Sequence, residues 1–258
     1  MIKEKFSLEG KVAIITGASK GIGKAIARGL AEFGAKVVIS SRKQAAVDTV
    51  AAEFEKEGLE ATAIACHVAD EAQCQMLVQG TLDKYGRIDI LVNNAGTNPY
   101  YGAIEKMPKA LYQKTMDVNL NAAIYLSNLV HPYLKQHGKG SIIHISSIEG
   151  FHATAFMSAY NVSKAALIML GKNQAIEWGK DNIRVNVICP GYVRTKLAAG
   201  FVEDAKTHQK MMDNTPLGRV ATPDEIAGMA VYLASEASSF CTGSAMVVDG
   251  GLLNAPLF

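Results

Sequence analysis

Val12-Ala13-Ile14-Ile15-Thr16-Gly17-Ala18-Ser19-Lys20-Gly21-Ile22-Gly23 decides how this chain folds. Val12 to Ile15 read as a short buried strand, and Thr16 to Gly23 turn the chain directly into a helix expected over Ile22 to Phe33. Gly34 follows as the stop of that helix. Glycines at 17, 21 and 23 permit a tight turn, let a pyrophosphate approach the backbone, and let the helix pack close to the strand.

The same rhythm continues outward. Lys36-Val37-Val38-Ile39-Ser40 reads as a second strand, Ala61 to Ala65 as a third and Ile88 to Val92 as a fourth. Ser141 to Ile145, Ile183 to Ile188 and Ala245 to Val248 complete seven. Amphipathic segments such as Ala45 to Lys56, stopped by Gly58, fill the gaps. Apolar strands alternating with helices predict an α/β fold: one doubly wound, parallel, seven-stranded sheet with helices on both faces. No low-complexity linker interrupts the chain, so a single domain over 1–258 is expected. About 195–219 departs from the rhythm; rich in Met, Phe and Lys, it precedes the helix start at Thr222-Pro223-Asp224-Glu225. An insertion there would suit a lid over a ligand.

Composition narrows the partners. At 258 residues, 49% hydrophobic and 19% charged, the chain can bury a core. Its formal charge of +2 has no block of like charges behind it, which argues against nucleic acid or an anionic membrane. No apolar run is long enough to span a bilayer and Met1 leads straight into polar sequence, so a cytoplasmic protein is expected. Cys66, Cys74, Cys189 and Cys241 are dispersed and read as buried thiols in a reducing compartment. His67, His144 and His152 have no acidic or histidine partner at ligand spacing, so no metal is expected; His144 alternates into a strand as a core or interface residue.

A glycine-rich turn between a first strand and a first helix points to a dinucleotide. The end of the second strand then selects which one, because an acid there would bond both ribose hydroxyls of NAD. Ser40-Ser41-Arg42-Lys43 supplies no acid, and Lys20 adds a cation in the turn. An arginine fork matches a 2′-phosphate, so NADP(H) is expected, against the plainer reading that Arg42 and Lys43 only start a solvated helix.

Tyr160-Asn161-Val162-Ser163-Lys164 follows Ser147 by thirteen residues. Residues i and i+4 share a helix face. A unit charge about 4 Å away is worth roughly 4 kcal/mol at an effective dielectric of about 20. That equals about three pKa units, enough to bring a phenol toward neutral pH. By itself the pattern also fits a solvated helix face.

Taken together, Thr16–Gly23, Asn93-Asn94-Ala95-Gly96, Asn119, Ser147, Tyr160/Lys164 and Pro190-Gly191-Tyr192-Val193-Arg194-Thr195 resemble the short-chain dehydrogenase/reductase family from about Leu8 to Gly251. Ser40–Gln44, Cys66-His67-Val68 and Asn98–Gly102 are similar to NADPH-dependent carbonyl reductases of the dehydrogenase/reductase member 4 type. The resemblance implies a Rossmann fold and a hydride exchange between NADP(H) and a carbonyl or secondary alcohol. It implies that Tyr160 is the acid or base, that Lys164 lowers its pKa and holds the nicotinamide ribose, and that Ser147 bonds the substrate oxygen. Asn119 would anchor a water that resupplies protons. Gly17, Ser19, Lys20, Gly21, Ile22 and Gly23 would hold the pyrophosphate side, Ser41 and Arg42 the 2′-phosphate, and Asn94, Ala95 and Gly96 the adenosine side. Pro190, Gly191, Val193 and Thr195 would cradle the nicotinamide. His67 departs from the family's aspartate, so His67 and Val68 would meet adenine by stacking or backbone contact, while Asp70 reads as a helix cap. Ser146-Ser147 as a cap and Asn119 as a core amide remain the plainer alternatives.

The substrate is less legible. Tyr100, Tyr101, Phe151, Phe156, Met157, Tyr192, Leu197, Phe201, Met211 and Met212 flank the expected site and suggest a largely apolar pocket, unless they serve the core or a subunit contact. Glu149 and His152 would bond a polar group, or simply be exposed. Ketone or aldehyde reduction leads. Reduction of 3-oxoacyl thioesters is the alternative, although Gly138 and Asp181 stand where relatives of that kind carry basic docking residues, with Lys135, Lys139 and Lys180 nearby. Sugar or polyol oxidation follows, and a non-catalytic NADP(H)-binding protein last. The resemblance also implies a homotetramer, with Met169 and Trp178 in the contact and the apolar end Leu252–Phe258 docked on a subunit.

Overall fold

Strand β1 (Val12–Thr16) is buried along its whole length, as a central parallel strand covered on both faces must be. The computed structural model describes residues 1–195 and 205–254. Seven strands pair in parallel in the order β3-β2-β1-β4-β5-β6-β7. They are β2 (Lys36–Ser41), β3 (Ala61–Ala65), β4 (Ile90–Asn93), β5 (Gly140–Ile145), β6 (Ile183–Pro190) and β7 (Ala245–Val248). In order along the chain come α1 (Gly21–Glu32), α2 (Gln44–Lys56), α3 (Glu71–Tyr85), α4 (Lys109–Met116), α5 (Ala122–Gln136), α6 (Ser158–Trp178), α7 (Ala205–Asn214) and α8 (Asp224–Ala234).

The two layers of helices follow from the period of two along each strand. Ala13, Ile15, Val37 and Ile39 pack with Ile26, Leu30, Phe54 and Val231 of α1, α2 and α8. Ile14, Val38, Leu91 and Ile142 face the other way, onto Leu77, Leu126 and Val130 of α3 and α5. Burying such an aliphatic side chain contributes about 1.5–3 kcal/mol, so this alternation fixes which helix covers which face.

Several boundaries move by one residue, and two move by two residues, both for polar reasons. Strand β4 starts at Ile90 rather than Ile88, because Asp89 is spent as an anchor: its carboxylate takes the Val12 amide at 3.0 Å and the Arg87 guanidinium at 2.8 and 2.6 Å. Strand β6 runs on to Pro190, where the missing amide falls at the end of the ladder beside Val248. Asp89 also lines, with Lys11, Lys139 and Glu236, a polar cavity of about 50 Å³ at the amino-terminal ends of the strands. Those four side chains pair among themselves, Lys11 with Asp89 and Lys139 with Glu236.

All four cysteines are free thiols; Cys66, Cys74 and Cys189 are buried. Cys66 and Cys74 are not dispersed in space: their sulfurs lie 3.8 Å apart. The strand order reverses between β1 and β4, which opens a crevice at the carboxyl ends of the strands.

Candidate active site

The glycine turn occupies that crevice and is locked from β4. Asn94 gives its amide Nδ2 protons to the carbonyls of Thr16 at 2.8 Å and Gly17 at 3.2 Å. Thr16 Oγ1 takes the backbone amides of Asn94 and Ala95 at 3.0 and 3.1 Å. Gly17 sits at φ +65°, and a Cβ there would come within 2.9 Å of Ala95 Cα. A Cβ on Gly23 would collide with the Asn94 amide and stand 2.5 Å from the Gly17 carbonyl oxygen. On Gly21 it would meet the Thr195 methyl at 3.4 Å. No side chain caps the start of α1 and no acid occupies its first turn, leaving backbone amides and the positive helix end for an anion. The turn therefore fits a pyrophosphate; within it Ser19 is half-buried, Lys20 is exposed, and Ile22 packs against the core.

Ser41 ends β2, Arg42 follows it, and Lys43 stands at the N-cap of α2; Arg42 and Lys43 are exposed, and neither forms an ion pair among the described residues. His67 follows β3, and its Nδ1 accepts the Ala69 amide at 3.3 Å. Val68 is buried beside it. Asp70 caps α3 by accepting the Gln73 amide at 3.1 Å, as expected.

Ser147 and the Tyr160/Lys164 pair meet where β5 ends. Ser146 Oγ donates to the Lys164 carbonyl at 2.7 Å and Lys164 Nζ donates to the Ile145 carbonyl at 2.8 Å, so α6 is stitched to the strand end. Lys164 is 4% exposed, and burial pulls its ammonium down to about 8. Its Nζ lies 5.5 Å from the centre of the Tyr160 ring. The phenol of Tyr160 is shifted in the opposite sense to the expected one: burial pushes it up to about 12, while a hydrogen bond with Ser147 pulls downward. Desolvation thus outweighs the Ser147 bond, and the neighbouring Glu149 and Tyr101 push the phenol in the same upward direction.

Asn119 lies in a π-type turn, Asp117–Asn121, between α4 and α5. Its Oδ1 takes the Thr97 amide at 2.8 Å, and its Nδ2 donates to the Thr97 carbonyl at 2.9 Å and Ser163 Oγ at 3.0 Å. A Cβ on Gly96 would stand 3.6 Å from Lys164 Nζ and 3.7 Å from Asn119 Oδ1, which brings the two residues together beside the chain after β4. Both plainer readings hold structurally: Asn119 is a bonded core amide, and Ser147 caps a short 3-10 turn, Ile148–Gly150, by accepting the Glu149 amide at 3.2 Å.

The segment after β6 closes the far side. Gly191 donates to the Val248 carbonyl at 3.0 Å, and Tyr192 and Arg194 bond Ala221 at 2.9 and 2.8 Å, holding Val193 inward and Thr195 over Gly21. The lid expected over about 195–219 includes α7, where Met211 is buried; Leu197 and Phe201 lie outside the described residues. Phe151 and Phe156 are exposed. Phe156 holds a positive φ of 68°, a strained value for a bulky residue, while its carbonyl accepts the Gly102 amide. Glu149 is not exposed but buried, whereas His152 is exposed. His144 is a core residue between Asn93 and Gln174, its imidazole pulled down to about 4 by burial. The supporting roles of Thr16, Thr97 and Ser163 have no sequence signal, because a hydroxyl beside a motif residue is too common.

Residues 17–253 match the protein family described as Enoyl-(Acyl carrier protein) reductase. Dehydrogenase/reductase SDR family member 4 of Oryctolagus cuniculus is 40% identical over 244 residues, 95% of this chain and 94% of that protein. A gluconate 5-dehydrogenase from Burkholderia cenocepacia, solved with NADP and tartrate, superposes with a TM-score of 0.94 at 36% identity, over 98% of this chain and 99% of that one. A 7α-hydroxysteroid dehydrogenase solved with NADH and 7-oxo glycochenodeoxycholic acid gives 0.93 at 36% identity, over 96% of each chain. With the sheet order, the glycine turn and the Ser147, Tyr160 and Lys164 constellation, these similarities establish that the chain belongs to the short-chain dehydrogenase/reductase family of nicotinamide-dependent oxidoreductases acting on alcohols and carbonyls.

Proposed function

We propose that the whole chain, 1–258, forms one NADP(H)-dependent ketone or aldehyde reductase domain. The observation that carries this is the meeting of Tyr160, Ser147 and Lys164 at the end of β5, beside a turn built for a pyrophosphate. When bound, the nicotinamide supplies the hydride. Tyr160, protonated throughout neutral pH, gives its proton to the carbonyl oxygen; in the reverse direction the phenolate takes it back. Ser147 donates to the same oxygen and stabilises the charge that develops on it. Lys164, with its ammonium near neutrality, orients the nicotinamide ribose and returns a proton to Tyr160, with Asn119 and its neighbours linking Lys164 to solvent. Arg42 and Lys43, with no acid at the end of β2, favour the 2′-phosphate of NADP(H) over NAD(H).

Carrier-protein docking is disfavoured by charge pairing, because Lys135 and His131 are held by Asp181 at 3.0 and 3.4 Å and Lys139 by Glu236 at 3.0 Å. A sugar acid of the gluconate type would meet the buried Glu149 carboxylate. An assembly of four copies is supported by an apolar stripe on α6, with Val162, Met169 and Ile176 exposed at seven-residue spacing. Trp178 instead stacks on His131 at 4.6 Å. The free cysteines support a reducing, cytoplasmic setting, and no helix among the described residues is long and apolar enough to cross a membrane.

A screen of NADPH oxidation over ketones, aldehydes, α-dicarbonyls, 3-oxoacyl thioesters and keto sugars tests the reading. Turnover of ketones or aldehydes is expected. Protein that binds NADPH yet turns over no member of the panel would refute it.

A further inference from the structure

Glu149 lies two residues beyond Ser147, in the short turn that Ser147 caps. It is 9% exposed, and its two carboxylate oxygens are treated differently. Oε1 accepts the Thr154 hydroxyl at 2.9 Å, with His152 Nε2 at 4.0 Å. Oε2 is buried and accepts nothing, and no lysine or arginine pairs with the group among the described residues. A buried carboxylate oxygen without a donor is costly, so its retention points to a donor supplied from outside the chain.

A second acceptor is left in the same network. Asn161 Nδ2 donates to the Thr154 carbonyl at 3.0 Å, and Asn161 Oδ1 is buried without a partner. The linked residues Glu149, Thr154 and Asn161 therefore offer two unmatched acceptors, Glu149 Oε2 and Asn161 Oδ1. The carboxylate also lies close enough to Tyr101, Tyr160 and Tyr192 for its charge to oppose ionisation of all three phenols. An atom near the oxygen served by Tyr160 is thus within the field of Glu149.

We propose that Glu149 sets specificity by accepting a hydrogen bond from a hydroxyl group beside the reacting carbonyl, so that α-hydroxyketones are preferred to plain ketones. The inference rests on Tyr160 and Ser147 serving the carbonyl oxygen, as proposed above. A plain ketone leaves Oε2 unpaired, and a keto acid adds a second negative charge, so both are disfavoured by the same group.

The test compares kcat/KM with NADPH for an α-hydroxyketone, the parent methyl ketone and the matching α-keto acid, in the wild type, Glu149→Gln and Glu149→Leu. The wild type should prefer the hydroxyketone. The ratio of hydroxyketone to methyl ketone efficiency should fall by about 10- to 100-fold in Glu149→Leu, the range of a charge-assisted hydrogen bond, and by less in Glu149→Gln. The relative efficiency of the keto acid should rise in both variants. An unchanged ratio overturns the proposal, and so does an equal loss on all three substrates, which would mean that Glu149 acts through Tyr160 or the fold. If Glu149→Leu does not fold, Glu149→Gln decides on the same ratio. Wild-type protein that binds NADPH but reduces none of the three removes the underlying assignment of Tyr160, and is recognised by absent turnover rather than lost preference.

Discussion

Lys164 donates from Nζ to the Ile145 carbonyl oxygen at 2.8 Å, fastening the helix that carries Tyr160 to the end of β5. Burial lowers the lysine to about 8 from an ordinary 10.5. Between these values the unfolded chain binds more protons than the folded one, so this group makes stability rise with pH across that window. Below about pH 8 the full cost of the buried ammonium is present, on the order of 3 kcal/mol. Lys164→Met should therefore be more stable than the wild type at pH 7 by about 1–3 kcal/mol, since the lost bond to Ile145 offsets part of the gain. The gap should close as pH rises from 8 toward 10.5. Urea unfolding of both proteins at several pH values checks this, and a gap that stays constant rules it out.

Tyr160→Phe removes the proton donor and keeps the ring. Turnover of a carbonyl substrate should fall by about 10²–10⁴-fold, the usual worth of a general acid. NADPH binding, followed by fluorescence, should change far less, because the pyrophosphate contacts lie in the glycine turn. A matched loss of both would assign Tyr160 to binding alone.

The parts of this molecule legible in sequence are those whose physics is local. A strand covered on both faces reads as an apolar run, and β1 begins where Val12 predicts; the half-buried edge strands β3 and β7 also begin where Ala61 and Ala245 predict. Tyr160 and Lys164 are one helical turn apart, and Gly17 and Gly23 declare a turn through their missing side chains. Long-range features could not be read. Asn94 bonds Thr16 across 78 residues, Asn119 bonds Ser163 across 44, and Cys74 returns to Cys66 only after α3 packs on the sheet. The sign of the Tyr160 shift was hidden for the same reason: charge spacing is local, whereas desolvation depends on everything packed around the phenol. Asp89 looks like part of a strand in sequence because nothing local shows that Arg87 and the Val12 amide converge on it.

Arg42→Asp puts an acid at the exposed end of β2 and removes the fork that suits a phosphate. The ratio of NADPH to NADH efficiency should fall by at least about 10-fold, the lower end for a hydrogen bond to a charged group. Steady-state kinetics with both cofactors and one ketone measure it. An unchanged ratio would move the phosphate-recognising role to Lys43 or Lys20.

Asn94 supports the glycine turn with two bonds, to Thr16 and Gly17 carbonyls at 2.8 and 3.2 Å. Asn94→Ala should cost about 1–3 kcal/mol in stability by leaving these carbonyls without their donor. It should weaken NADPH binding as well, because the turn loses its brace while the glycines keep their conformational freedom. Asn94→Asp is the sharper probe. It has almost the same shape, yet it sets a carboxylate against two carbonyl oxygens, so it should destabilise more than Asn94→Ala above the carboxylate pKa and recover toward acid pH as the group protonates and regains a donor. Urea unfolding and NADPH titration at pH 5 and 8 separate the two variants. An Asp variant no worse than Ala at the higher pH would mean that Asn94 fills space rather than holding the turn by hydrogen bonds.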